Sequence, residues 1–267
     1  MVVATSEPNA RRAVITIGGG KAAAGLSRRV LESDVILIAT PDDVVAKVAS
    51  ELARIGAEEL DEKIVLHTSG ALDVSVLHLL REHGAAVGTF YPLQSFTGVG
   101  LPPLDGKVFA IDGDPVAVRV SRQMARSLGG SPILIVGGHK ALFHAAATMA
   151  AGHVLAVEET ATRMLMSIGM KRREAVRALL PLTRQVLENF ELLGPRVASS
   201  VQASSGENGT LAAHLTAMRQ LPPEFSQAYG SLDRLLARAL EPHSSETLEQ
   251  INTRTEDRKT NAKGTGG

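Results

Sequence analysis

Cysteine is absent from the 267-residue chain, and so is tryptophan. Without thiols there is no disulfide, no thiolate nucleophile and no thiolate metal site, and the redox compartment is left open. Aromatic residues make up only 3%. Ala, Leu and Val must then fill the core, which suits close packing of helices on a sheet. An excess of either charge is also missing: Lys and Arg number 28, as do Asp and Glu, for a formal net charge of zero. Such a balance supplies no global basic field for nucleic acid or for an anionic membrane surface. No apolar run approaches the roughly 20 residues that cross a bilayer, and the N-terminus has no charged region ahead of an apolar one. These absences predict a cytoplasmic protein with neither nucleic-acid nor membrane partners. Metal-ligand spacing is lacking too. His144 and His153 lie nine residues apart on one predicted helix, about two and a half turns, so they face different sides and no metal is expected.

What is present is a succession of short apolar runs. Val35 to Ala39 is fully apolar and rich in β-branched residues, as a strand buried on both faces must be. Pro41 cannot donate to a ladder and ends it, and Asp42 or Asp43 can cap a helix from Val44 to Ile55. Val2 to Ala4, Ile64 to His67, Ala86 to Phe90, Val108 to Ile111 and Ile133 to Val136 read as further strands. Asn9 to Ile17, Ala24 to Glu32, Leu72 to His83 and Pro115 to Leu128 read as the helices between them. That alternation implies parallel βαβ units. After Gly137-Gly138 only helical patterns follow, over 139–168, 172–193, 211–220 and 223–239. The expected fold is α/β, a Rossmann-like parallel sheet followed by an all-α C-terminal domain. Its expected divisions are 1–137 for the sheet domain, 138–241 for the helical domain and 242–267 for a polar, disordered tail.

In open α/β sheets ligands bind beyond the carboxyl ends of the strands. That rule singles out Thr40, Pro41 and Asp42, then His67, Ser69 and Gly70, then Gln94 and Ser95. Ser69 and Gly70 can present a hydroxyl and backbone N–H groups to a carboxylate or carbonyl, and Gln94 an amide. His67, whose ordinary pKa lies near working pH, is a candidate proton donor. A Ser-His-Asp hydrolase is excluded because Ser69 lacks a Gly-x-Ser-x-Gly elbow. Gly18-Gly19-Gly20 is the one tempting phosphate turn. It follows a helix-like segment, Ala23 stands where a third glycine belongs, and Lys21 crowds the turn, so it reads as a helix C-cap.

Four motifs in order, Asp34-Val35-Ile36-Leu37-Ile38-Ala39-Thr40-Pro41-Asp42-Asp43, His67-Thr68-Ser69-Gly70-Ala71-Leu72, Tyr91-Pro92-Leu93-Gln94-Ser95-Phe96 and Lys140-Ala141-Leu142-Phe143-His144-Ala145-Ala146-Ala147, carry a family likeness. The chain resembles the Rossmann-like proteins with a C-terminal DUF2520 domain, relatives of NADP oxidoreductases and of 6-phosphogluconate dehydrogenase-like proteins, from about Val2 to Ala239. The resemblance implies a strand, a glycine-rich turn and a helix ahead of the segment matching Val2. On that reading the unit is absent, leaving a sheet edge uncovered and weakening dinucleotide binding.

The resemblance also implies a nicotinamide cofactor. Thr5, Ser6 and Arg11 follow the strand that selects between NAD and NADP, and hydroxyls with arginine suit a 2′-phosphate, so NADP is expected with NAD possible. Thr40, Pro41 and Asp42 would lie along its ribose-phosphate path. In related dehydrogenases the first long helix after the sheet supplies a catalytic or substrate-orienting residue, which points to Lys140 and His144. Tyr91 stands where the family usually has His, and Gly152-His153 where it shows Ser-Asn. Asn189, polar within an apolar helix, is a further candidate for substrate contact. The expected catalytic set is thus His67, Ser69 and His144. The function implied is an NAD(P)-dependent oxidoreductase for a small carbonyl, imine or hydroxy-acid substrate. The alternatives are a non-catalytic nucleotide or small-acid sensor and an inactive truncated product. Leu179, Leu180, Leu187 and Leu193 stripe the helical segment, and in relatives such helices build a homodimer.

Overall fold

The computed structural model describes residues 1–98, 100–135, 138–198 and 208–240. The expected tail, 242–267, and the end of the expected strand at Val136 lie outside the described residues. The chain divides into two compact units, Met1–Val154 and Leu155–Gly267.

The first unit opens with strand β1 (Val2–Ala4) and helix α1 (Glu7–Ile17). Gly18 ends α1 with φ 88°, its N–H reaching the carbonyls of Val14 and Ile15. A Cβ is strained there, so the triple glycine is the C-cap expected. Ala22–Ala24 is not the start of a helix. It is strand β2, parallel to β1 with Val2 opposite Ala22, and only Arg28–Glu32 forms a short 3-10 turn. Alanine's helix propensity loses here to the open backbone groups of β1, which need partners.

The main sheet holds β3 (Val35–Ile38), β4 (Ile64–His67), β5 (Ala86–Pro92), β6 (Val108–Gly113) and β7 (Ser131–Leu134), in that order. Strands β3, β4 and β5 are mutually parallel, as are β6 and β7, but β5 and β6 are antiparallel. The expected parallel sheet is thus found in three of the four pairings, with β5–β6 the exception. The described residues of 93–107 contain no helix, and without a crossover helix the chain returns antiparallel. Helix α2 (Asp42–Gly56) starts two residues before the expected Val44, and neither Asp42 nor Asp43 caps it. Both sit in the first turn, where a carboxylate favours the helix dipole. The expected helix over Leu72 to His83 is a 3-10 turn, Val74–Leu77, running into α3 (His78–Glu82). Helix α4 spans Pro115–Ser127.

Side-chain alternation splits the core into two layers. Ile36, Ile38, Val65 and Val87 face Val45, Ala49 and Leu52 of α2 and Leu77 and Leu80. Ile64, Leu66, Phe90, Phe109 and Ile111 face Ala117 and Ala125 of α4, with Phe90 and Phe109 stacked at 4.8 Å. Helix α5 (Lys140–Thr148) belongs to this unit and continues through a π turn, Met149–His153.

The second unit holds α6 (Val154–Ser167), α7 (Arg172–Ala198, broken at Gly194), α8 (Asn208–Ala217) and α9 (Pro223–Leu240). Glu159 bridges Arg163 and Arg172 at 2.7 Å each, and the Thr183 hydroxyl donates to Glu158. His214 and Tyr229 hydrogen-bond at 2.8 Å. Among its described residues only Thr162, Ala175 and Met218 are buried. The helical run Lys140–Ser167 is long and apolar enough, by length and composition, to cross a membrane, which revises the expectation that no such run exists. It carries Glu158, Glu159 and Arg163 near one end.

Candidate functional site

One register line crosses the sheet. Ile38 of β3 lies beside His67 of β4, His67 beside Thr89 of β5, and Thr89 beside Asp112 of β6. Just past this line come Thr40, Ser69, Gly70 and Tyr91. Helix α5 supplies Lys140 and His144, spaced four residues apart and so on one face. Six side chains in this unit bury a polar atom with no hydrogen-bond partner among the described residues: Thr40 Oγ1, His67 Nε2, Thr89 Oγ1, Ser121 Oγ, Lys140 Nζ and His144 Nδ1. Buried polar groups are normally satisfied. All but Ser121 belong to this strand-end region.

Lys140 is 2% exposed. Burial pulls its pKa from 10.5 down to about 8, against the opposing pull of Asp112, Asp73 and Asp42. At neutral pH it is therefore mostly a cation, yet it is close enough to its pKa to give up a proton. His67 is fully buried. Its Nδ1 accepts the Ser69 N–H at 3.2 Å, which assigns the ring hydrogen to Nε2. Burial first, and the Lys140 charge second, push its pKa from 6.5 down to about 4, although the Asp73 carbonyl and the Asp42 and Asp73 carboxylates oppose this. A neutral ring at working pH does not suit the expected proton-donor role.

The Ser69 hydroxyl accepts from Ala71 N at 3.2 Å and Leu72 N at 2.9 Å, so its first task is to shape the turn. Gly70 has no space for a side chain. A Cβ there would collide with His144 Nδ1 and stand 2.8 Å from Tyr91 Cζ. The Tyr91 and His144 rings meet edge to face at 5.9 Å. Desolvation, and then Asp42, raise the Tyr91 pKa.

The structure thus gathers Thr40, Asp42, His67, Ser69, Gly70, Lys140 and His144, with Pro41 as N-cap of α2. Other candidates are engaged elsewhere. Gln94 donates to the Pro103 carbonyl at 3.0 Å and accepts from Ser95 N at 2.9 Å, closing its own loop. Thr5 and Ser6 form the turn between β1 and α1, beside the two-stranded sheet rather than the main one, and Arg11 lies on α1, where it pairs with Glu7 at 2.6 Å. Asn189, in the second unit, accepts from Gln185 at 3.0 Å. Sequence reasoning missed Asp73, Asp112 and a role for Tyr91. Asp112 was findable only from the antiparallel register that sets it opposite Thr89.

Fold and strand-end site together define a Rossmann-like protein, and residues 2–92 match the Rossmann-like domain. Residues 107–236 match DUF2520, a domain of unknown function; the chain is a Rossmann-like, DUF2520 domain-containing protein, as its motifs suggested. Among solved structures it is similar to protein TM1727 from Thermotoga maritima (20% identity, 90% of this chain and 89% of that one, TM-score 0.68). It is also similar to a reductive aminase from Aspergillus terreus in complex with NADPH and ethyl-5-oxohexanoate (18%, 93% and 89%, 0.65). A 1-pyrroline-5-carboxylate reductase from Streptococcus pyogenes is similar over 90% and 88% (13%, TM-score 0.59). No curated protein matches the chain.

A dinucleotide fits this site in part. The orphaned Thr40 hydroxyl at the carboxyl end of β3 suits a ribose or carboxamide group. The triple glycine does not suit the pyrophosphate, because it closes α1 rather than opening a helix, and no glycine-rich strand–turn–helix occurs among the described residues.

Proposed function

We propose that the protein is an NAD(P)-dependent oxidoreductase acting on a small carbonyl, imine or hydroxy-acid compound. The observation that carries this reading is the buried, unpartnered Lys140 ammonium among the strand tips, beside the equally unpartnered His144 and Thr40. Solved structures of the same fold hold NADPH, and a nicotinamide would supply hydride. The chain's own part is to bind, orient and protonate. Lys140 would give a proton to the substrate oxygen or nitrogen and recover it from solvent. His144 and Thr40 orient the substrate and the near end of the cofactor. NADP over NAD is supported by the Thr5 and Ser6 hydroxyls just past β1 and by Arg11 on α1, whose exposed pair with Glu7 a 2′-phosphate would exchange for its own. The localisation proposed is cytoplasmic, supported by the charged residues within the Lys140–Ser167 run. The proposal extends to a homodimer through the helical unit, supported by its exposed apolar helix faces.

The test is a fluorescence titration of the full chain with NADPH and with NADH, followed by turnover on a panel of carbonyls and imines. NADPH binding with turnover that falls as pH rises through about 8, the Lys140 value, is expected. Binding without turnover would favour a sensor, and no binding of either nucleotide would overturn the proposal.

A further inference from the structure

We propose that His67 is a positioning residue: by accepting the Ser69 N–H at Nδ1 it fixes the turn that seats Gly70 against His144 and Tyr91, and so sets the Lys140–His144 face of α5 against the strand tips. Calling what it positions a catalytic site rests on the reading above, but the geometry needs no ligand.

The contacts run outward from the sheet. His67 is the last residue of β4 and shares the Val65 face, wedged between Ile38 and Thr89. A ring held there is as rigid as the core. From that anchor Nδ1 takes the Ser69 N–H, a donor that would otherwise be buried without a partner. Ser69 is thereby oriented so that its hydroxyl collects the N–H groups of Ala71 and Leu72. Between these two fixed points Gly70 is pressed on His144 and Tyr91 with no room even for a methyl group. A displacement of the turn is therefore passed directly to the His144 ring.

The residue type is explained by the same contacts. The position needs a rigid acceptor that remains neutral close to Lys140. A carboxylate would accept the Ser69 N–H but would add a charge to a place already under Asp42 and Asp73. An aliphatic side chain would fill the space and leave the N–H unpaired. Imidazole in its Nε2–H form meets both demands.

The test uses the full chain without ligand, labelled with 15N. In the unsubstituted protein the His67 ring is expected to carry one hydrogen, on Nε2, from about pH 8 to about pH 5. Its Nδ1 is expected to show a scalar coupling to the Ser69 amide nitrogen across the N–H···N bond. His67→Asn places an acceptor near the Nδ1 position, whereas His67→Gln places its amide near Nε2. His144 ring signals are expected to stay in place in H67N and to move in H67Q. A hydrogen on Nδ1, an absent coupling, or equal shifts of His144 in both variants would overturn the proposal. Should neither variant fold, the tautomer and coupling of the unsubstituted protein decide it. Failure of the functional reading registers separately, as NADPH titrations without response while these signals remain.

Discussion

A lysine ammonium that has left water without gaining a hydrogen bond weakens the fold that holds it, and the sign of that effect can be measured. The folded pKa of Lys140, about 8, lies below its ordinary 10.5. Between these values the unfolded chain binds more protons, so stability rises with pH across that window. Below about pH 8 the full cost is present, on the order of 3 kcal/mol. Lys140→Met is expected to stabilise the protein at neutral pH by up to that amount, to remove the rise between pH 8 and 10.5, and to abolish turnover. Urea unfolding at both ends of the window checks the first two. His67 behaves alike in a lower window: its folded value of about 4 against 6.5 predicts acid destabilisation that grows as pH falls from 6.5 to 4. Gly70→Ala must push back His144 or Tyr91, which is expected to cost about 1–3 kcal/mol and lower the thermal midpoint. Much of this site was legible in advance. Thr40, Ser69 and Gly70 follow apolar runs whose ends mark a binding edge, and family likeness pointed to Lys140 and His144. Gln94 met the same strand-end rule and failed it because Pro103 takes its amide. The neutrality of His67 was not legible, since burial by Ile38 and Thr89 is a property of register.

At the scale of elements, the runs rich in Val, Ile and Leu were legible as strands, because strands buried on both faces have few other compositions, although β7 starts at Ser131 and not at the expected Ile133. Two elements escaped. Ala22–Ala24 has the wrong residues for a strand and is one only because β1 offers it a parallel edge. The antiparallel return of β6 left a sequence trace, a stretch between β5 and β6 with no helical pattern, but its register rests on contacts far apart in the chain. That register brings Gly88 opposite Gly113. Gly113 has φ 132°, and a Cβ on it would crowd the Val87 carbonyl and stand 2.5 Å from Gly88 Cα. Backbone strain and backbone collision coincide there, and neither neighbour can turn aside. Gly113→Ala is expected to cost more than about 2 kcal/mol. Gly138→Ala, also at positive φ but with nothing within 4 Å, is expected to cost clearly less. Paired denaturation curves separate strain alone from strain with collision.

The helical unit raises the question of what completes the molecule. The three buried residues among those described do not make a core, while Leu182 and Phe190 of α7 are 62% and 55% exposed. Leu179, Leu182, Val186, Phe190 and Leu193 fall within about 80° of one another around the helix. Their spacing reads alike in both directions from Val186, so a second copy running antiparallel would set Leu182 against Phe190 and Val186 against itself. This is the self-complementarity that a two-fold interface demands. Leu187 and the α9 leucines Leu232, Leu235 and Leu236 are exposed as well, further apolar surface toward the roughly 800 Å² per partner that a stable dimer buries. A membrane is the competing partner, since Lys140–Ser167 has the necessary length, but it would have to accommodate Glu158, Glu159 and Arg163. The absence of cysteine makes the geometry accessible: in Val186→Cys each copy has a single thiol. Light scattering is expected to give twice the chain mass, and mild oxidation of V186C to give a disulfide-linked dimer. Arg184→Cys, on the opposite side of the helix, is expected to link poorly. A monomer that sediments with lipid vesicles, or equal linking by both variants, would show that this face meets something other than its own copy.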